Sequence, residues 1–319
     1  MMDLEPRFRW IALGVAGGLD ESNLNAYLVS RLGGSAFVGL DAGCVHSGLR
    51  AAARAGCFAD LPAPSPEAAG LSVEGRVCRE HIQAWLISHG YLDHVHGLAE
   101  ISPSDVGKPI CSLDGVIDDL RDHLFNWRLW PNMADEGASP RLGQYHYTRL
   151  PPGQPVAIAG TPFSVEAHPL AHGPFTDSAA FLLESEGHSL LYMGDTGPDL
   201  VEGRSTTRDL WQRIAPLLRA RTLHGLFIEA SYPDKRQDAQ LFSHLSPRWV
   251  MHALHELAAL VDAQAPGEAL RGFPVLVVHL KPDLDGQADV RARIRQQLAQ
   301  RNELGVKLVF PEQGQQGLL

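Results

Sequence analysis

The chain has 319 residues, 45% hydrophobic and 20% charged, with a formal net charge of −10. That composition supplies a large globular core, and the acidity makes a long nucleic acid, itself a polyanion, a poor partner. The start of the chain carries no basic stretch leading into a long apolar one. No apolar run approaches the roughly 18 residues of a membrane span, and the four cysteines, Cys44, Cys57, Cys78 and Cys111, are widely spaced and read as reduced thiols. A cytoplasmic protein without a membrane partner is the expectation.

In chain order, residues 36–40 form a short apolar run that ends at Asp41-Ala42-Gly43, which predicts a buried strand and a turn. The Pro-rich piece 61–66 reads as a loop. A second apolar run, 84–87, leads into Ser88-His89-Gly90-Tyr91-Leu92-Asp93-His94, so His89, Asp93 and His94 are expected on a loop leaving a buried strand. Imidazole nitrogen and carboxylate oxygen are the donors a borderline cation such as zinc prefers. Residues 120–147 carry Phe125, Trp127, Trp130, Tyr145 and Tyr147 with Pro131 and Asn132. This aromatic insertion either stacks on a flat ligand or forms a satellite core. If it meets a ligand, Trp130 offers a stacking face, and the Asn132 amide both donates and accepts hydrogen bonds.

His172 sits in a Pro- and Gly-flanked loop. The run 189–193 ends at Gly194-Asp195, and the run 275–278 ends at His279. Further strands are expected at 181–183 and 226–228, and helices at 248–260 and 290–298, where apolar residues recur at helical spacing. The pattern alone gives mixed α/β. Strand ends and loops at one edge of a sheet are natural places to assemble a site from these donors.

The ordered set resembles the metallo-β-lactamase superfamily, whose first signature is His-x-His-x-Asp-His, followed by a His, a bridging Asp and a last His. Within it the chain is similar to the class II cyclic-nucleotide phosphodiesterases, from about residue 10 to about residue 283. The similarity is carried by the segment from Gly17 to Val29, by Leu40-Asp41-Ala42-Gly43, and by Trp130-Pro131-Asn132. It continues in Glu229-Ala230-Ser231-Tyr232, Phe242-Ser243-His244-Leu245-Ser246-Pro247 and His279-Leu280-Lys281-Pro282. The resemblance implies an αββα sandwich, one domain over 1–319 with the aromatic insertion around 120–147. It implies hydrolysis of a 3′,5′-cyclic nucleotide (cyclic AMP or cyclic GMP) to the 5′-monophosphate. Two divalent ions are implied, zinc first, with manganese or iron as alternatives.

By the same resemblance His89 and His172 hold the first metal. Asp93, His94 and His279 hold the second, and Asp195 bridges. The second His of the signature is Tyr91 here, and a phenol is a poor ligand until it loses a proton well above neutral pH. A weakened first position is therefore expected. The ions would activate a water, and His244 would protonate the leaving ribose oxygen with Glu229 as its acidic partner, Asp93 completing the catalytic set. Lys281 either meets a phosphate oxygen as a point charge or is a solvated lysine at a strand end. His96, His168, His252 and His255 read as bystanders. Competing readings are a metallo-hydrolase of another ester (a tRNA-processing-type nuclease, an arylsulfatase or a lactonase) and a catalytically silent nucleotide-binding protein. Homodimerisation stays open.

Overall fold

The computed structural model describes residues 4–174, 177–284 and 289–319. The first part of the chain forms β1 (Phe8–Gly14), β2 (Ala26–Arg31), β3 (Phe37–Leu40), β4 (Ile82–Leu86), β5 (Lys108–Ser112) and β6 (Tyr145–Arg149). The second part forms β7 (Val156–Ala157), β8 (Ser164–Ala171), β9 (Asp177–Ser185), β10 (His188–Met193), β11 (Leu223–Glu229), β12 (Pro274–Val278) and β13 (Lys307–Val309). A last strand, β14 (Gln316–Leu318), returns to pair with β1. Two seven-stranded sheets result, in the orders β14-β1-β2-β3-β4-β5-β6 and β13-β12-β11-β10-β9-β8-β7.

The sheets face each other across an aromatic core. Phe8 stacks on Phe163 with ring centroids 6.1 Å apart, and Tyr27 meets Phe227 edge-on at 5.3 Å. Every residue of β1 and β11 is buried, as expected for strands covered on both faces. Helices close the outside. α1 (His46–Arg54) and α2 (Leu92–Ile101) bring Leu49, Ala52, Val95 and Leu98 to the core that includes the first sheet. α3 (Thr206–Arg219), α4 (Pro247–Val261) and α5 (Val290–Arg301) pack with the second sheet. α3 shows why: Leu210, Trp211, Ile214, Ala215 and Leu218 form one apolar stripe at helical spacing. Full burial of Leu210, Ile214 and Leu218 contributes about 1.5–3 kcal/mol each. The layers are the αββα sandwich that the resemblance implied. Among the described residues no helix is long and apolar enough to cross a membrane.

Strand direction is what positions the site. β3 and β4 run parallel, and so do β10, β11 and β12. β8 and β10 are both antiparallel to β9, so they share a direction. The carboxyl ends of these strands carry the segments that hold the donors, and crevices outside such ends are where open α/β sheets bind ligands.

The aromatic stretch 120–147 is woven into the first sheet. It ends in β6, which pairs in parallel with β5, and Phe125 and Tyr145 are fully buried.

Candidate metal and catalytic centre

Each donor emerges within a few residues of a strand end. His89 follows β4, His172 follows β8, Asp195 follows β10, Glu229 closes β11 and His279 follows β12. Asp93 and His94 correct the sequence expectation. They lie in the first turn of α2, not on a loop, because the helix begins at Leu92 with Tyr91 as its extended N-cap. Val95, Leu98 and Ala99 are buried along with His94, and Leu98 lies one turn on from it, so this face of the helix turns inward and carries His94 with it.

Four imidazoles and two carboxylates converge. His94 Nε2 lies 3.2 Å from His279 Nε2, and His279 Nε2 lies 3.2 Å from Asp93 Oδ2. Asp195 Oδ2 is 3.3 Å from both of those nitrogens and 4.0 Å from His89 Nε2. Four donor sets each fit within 4.8 Å: His89–His94–Asp195, Asp93–His94–His279, His172–Asp195–His244 and Glu229–His244–His279.

The outer ring nitrogens explain this convergence. His94 Nδ1 donates to Asp41 Oδ2 at 2.7 Å. His279 Nδ1 donates to Ser231 Oγ at 2.9 Å, and that hydroxyl donates to Glu229 Oε2. His172 Nδ1 donates to the Ser243 carbonyl at 3.0 Å, and His89 Nδ1 to Ser88 Oγ at 3.0 Å. Each imidazole is thus held by Nδ1–H and turns the lone pair of Nε2 inward, which is how protein histidines are set for a metal. The Nε2 atoms of His89 and His172 are buried and have no hydrogen-bond partner among the described residues. Inward lone pairs and carboxylates at this spacing repel one another unless positive charge lies among them. The donor set fits divalent ions.

The electrostatics agree. Burial, with the neighbouring His94 charge, drives the His89 pKa well below the usual histidine value, and burial lowers that of His172. Both imidazoles are then neutral, the form that binds metal. Burial would raise the Asp195 pKa, but His279, His94 and His244 outweigh it and hold the carboxyl well below the ordinary range. Burial opposes a charge on His94, yet Asp195 and Asp41 pull its pKa well above normal. Asp41 and Asp195 thus favour positive charge at the position of His94, which lies between them.

Gly17 and Gly18 close the cluster from outside. A Cβ on Gly17 would lie 2.3 Å from the His279 ring, so only glycine fits. The Gly18 N–H donates to Asp93 Oδ2 at 3.1 Å.

His244 stands beside the donors. Its Nδ1 is 2.9 Å from Glu229 Oε1 and 3.5 Å from Asp195 Oδ2, and its ring stacks 5.5 Å from that of His279. Burial works to raise the Glu229 pKa, but His244 outweighs it and the carboxyl stays ionised. With Nδ1–H on Glu229, Nε2 is the nitrogen left for other work. Lys281 Nζ lies 3.9 Å from Asp93 Oδ2 and 6.0 Å from the Tyr232 ring centroid. It lines a cleft of about 480 Å³ together with Gly17, Gly18, Tyr232 and Arg236. Another cavity of about 540 Å³, beside α1 and α2 and lined by Cys44, His46 and His96, holds none of the converging donors.

Tyr91 is 48% exposed, its ring edge-on to His89 at 4.9 Å and 5.2 Å from His172. Two other candidates are corrected. Asn132 is fully buried, its amide nitrogen donates to the carbonyls of Glu136 and Ala138, and its oxygen accepts from Ala134 N–H. The hydrogen bonds of that amide go to a turn of its own segment. Trp130 packs on the core and donates to Ser102 Oγ at 3.1 Å. Ser102 lies just past the far end of α2, roughly 13 Å along the axis from Asp93. It anchors the insertion there. Asp41, Ser88 and Ser231 carried no role in the sequence reading. Asp41 follows β3 as Asp195 follows β10, and that was the available signal.

Two facing mixed sheets with these donors along one edge define a metallo-β-lactamase-type fold. The structure superposes on the metallo-β-lactamase fold protein YhfI from Bacillus subtilis with a TM-score of 0.60 at 16% identity, over 98% of this chain and 100% of that one. The model of the class-II cAMP phosphodiesterases matches residues 9–314, and the chain belongs to that family. A 3′,5′-cyclic-nucleotide phosphodiesterase from Aliivibrio fischeri is 38% identical over 307 residues, 96% of this chain and 91% of the relative. Unliganded yeast PDE1 shares the fold with a TM-score of 0.83 at 20% identity, over 99% of this chain and 100% of that one.

Proposed function

We propose that the protein hydrolyses 3′,5′-cyclic nucleotides, cyclic AMP or cyclic GMP, to nucleoside 5′-monophosphates in a metal-dependent reaction. The observation that carries this reading is the convergence of four Nε2 lone pairs and two carboxylates next to the His244–Glu229 pair. His89, His172 and Asp195 would hold one divalent ion. Asp93, His94, His279 and the shared Asp195 would hold another. Zinc suits these nitrogen and oxygen donors, with manganese or iron as substitutes. When bound, such ions supply an activated water near neutral pH and neutralise phosphoryl oxygens.

The chain's own residues do the rest. Asp41, Ser88, Ser231 and the Ser243 carbonyl fix the imidazole tautomers before substrate arrives. Glu229 holds His244 by Nδ1, so Nε2 carries the proton to the leaving ribose oxygen. Lys281, beside Asp93, meets a non-bridging phosphate oxygen as a point charge. Tyr91 leaves the first position one imidazole short. The test is hydrolysis of cyclic AMP and cyclic GMP by chelated protein, with zinc, manganese or iron added back singly. Loss on chelation and recovery on addition are expected. Full activity after chelation, or none with any of the three ions, would sink the proposal.

A further inference from the structure

The aromatic segment that the sequence offered for base stacking is anchored elsewhere, yet a different aromatic group borders the cleft. Tyr232 lies 5.7 Å from His244, ring to ring and edge-on, and 6.0 Å from Lys281 Nζ. The Arg236 guanidinium lies over the Tyr232 ring at 3.8 Å and 5.8 Å from the Phe242 centroid. Phe242 is 68% exposed, although a phenyl ring left in water gains nothing for stability.

The backbone sharpens the point. Phe242 and Ser243 hold φ of +50° and +59°, a left-handed pair that L residues avoid and that Asn or Gly tolerates best. Ser243 has a reason, since its carbonyl braces His172. That reason does not extend to the side chain at 242, where a bulky aromatic is the least suited choice for the conformation. A ring that is disfavoured by its backbone and unburied by the fold points to a ligand. Arg236 and Tyr232 already form a cation–π stack, and a guanidinium or phenyl face accepts a nucleobase regardless of its sequence identity.

We infer that the nucleobase of the substrate stacks on a platform made by Arg236 and Phe242, with Tyr232 beneath Arg236. This deepens the phosphodiesterase reading and rests on it. The layout suits a cyclic nucleotide, in which one ribose separates phosphate from base. The phosphate lies by Lys281 and Asp93, the leaving oxygen by His244, and the base one side chain further out. Purines, with the larger face, stack better than pyrimidines.

The experiment compares Phe242→Ala and Arg236→Met with the parent on cyclic AMP and on a nitrophenyl phosphodiester that has no base. Lost stacking should raise KM for cyclic AMP roughly 5- to 150-fold, with kcat near the parent's and the nitrophenyl ester unaffected. Phe242→Tyr, which keeps the ring, should restore the parent KM. An unchanged KM for cyclic AMP, or an equal loss on both substrates, overturns the platform. A parent that leaves cyclic AMP intact overturns the phosphodiesterase reading instead, and equilibrium binding of cyclic AMP then decides the platform. Weaker binding by Phe242→Ala and Arg236→Met supports it. Equal binding by parent and variants, or none by the parent, removes it.

Discussion

The two sides of the donor cluster are braced differently. His94 and His279 are held from behind by carboxylates, Asp41 directly and Glu229 through the Ser231 hydroxyl. His89 is held by the Ser88 hydroxyl, which relays to the same Asp41 that His94 bonds directly, and His172 only by the neutral Ser243 carbonyl. A carboxylate behind an imidazole raises its basicity as a ligand, and a neutral acceptor only orients it. The better-braced side also has Asp93 as an extra donor, while the other side has an exposed phenol, Tyr91, where the signature has an imidazole. The contrast predicts that affinity for divalent ions is graded across the cluster, partly by groups such as Asp41 and Glu229 that stand behind the donors.

The largest expected effect removes the contrast altogether. Asp195 is shared by both sides, so Asp195→Asn should bring turnover to background and lower metal content at both positions. Activity equal to the parent's would defeat the metal reading. His244 tests whether chemistry and metal holding are separable. His244→Ala should reduce turnover of cyclic AMP by about 10²–10⁴ while metal content stays unchanged. A nitrophenyl diester, whose leaving group departs without a proton, should suffer far less. The same loss on both substrates would mean that His244 supports the site or binds phosphate.

Asp41→Asn keeps the shape of the brace and removes its charge. Metal affinity should fall roughly 10- to 100-fold on the His94 side, which Asp41 bonds directly, and less on the His89 side, which it reaches only through Ser88. A chelator titration, which in the parent should release one ion per chain well before the other, should then show the two releases merging. Two well-separated steps in Asp41→Asn would argue that the brace only orients. The smallest effect is expected from Tyr91→His, which adds an imidazole on the weaker side and should delay only the early release. If that release is unmoved, the departure at position 91 has no bearing on affinity.

Much of this was legible in the chain. Asp195 and His279 follow apolar runs, and the runs became β10 and β12 with nearly the expected bounds. The braces were not legible. Asp41 acquires its role only because Asn25, Ser88 and Tyr192, from three separate segments, gather on its carboxylate. Asn132 misled for a simple reason. A polar amide in a turn-rich stretch looks the same whether it faces a ligand or its own backbone. Phe242 lay in a segment that carried the resemblance, but neither its exposure nor its positive φ can be read from residue type. A loop was expected where α2 begins because Gly90, Tyr91 and Asp93 all favour loops, while burial of Val95 and Leu98 decided for helix.

The pairing of β14 with β1 has a practical side. Residues about 300 positions apart share a ladder, Arg9 opposite Leu318 and Ile11 opposite Gln316, and Arg9 also bonds the Gln316 side chain. Without residues 316–318, β1 would become an open edge: a fully buried strand with its N–H and C=O groups facing water and free to pair with another copy. During synthesis that edge must wait until residues 316–318 have emerged. Aggregation in preparations clipped near residue 314 would therefore reflect a missing seam far from the donors, and should not be taken as a sign of metal loss.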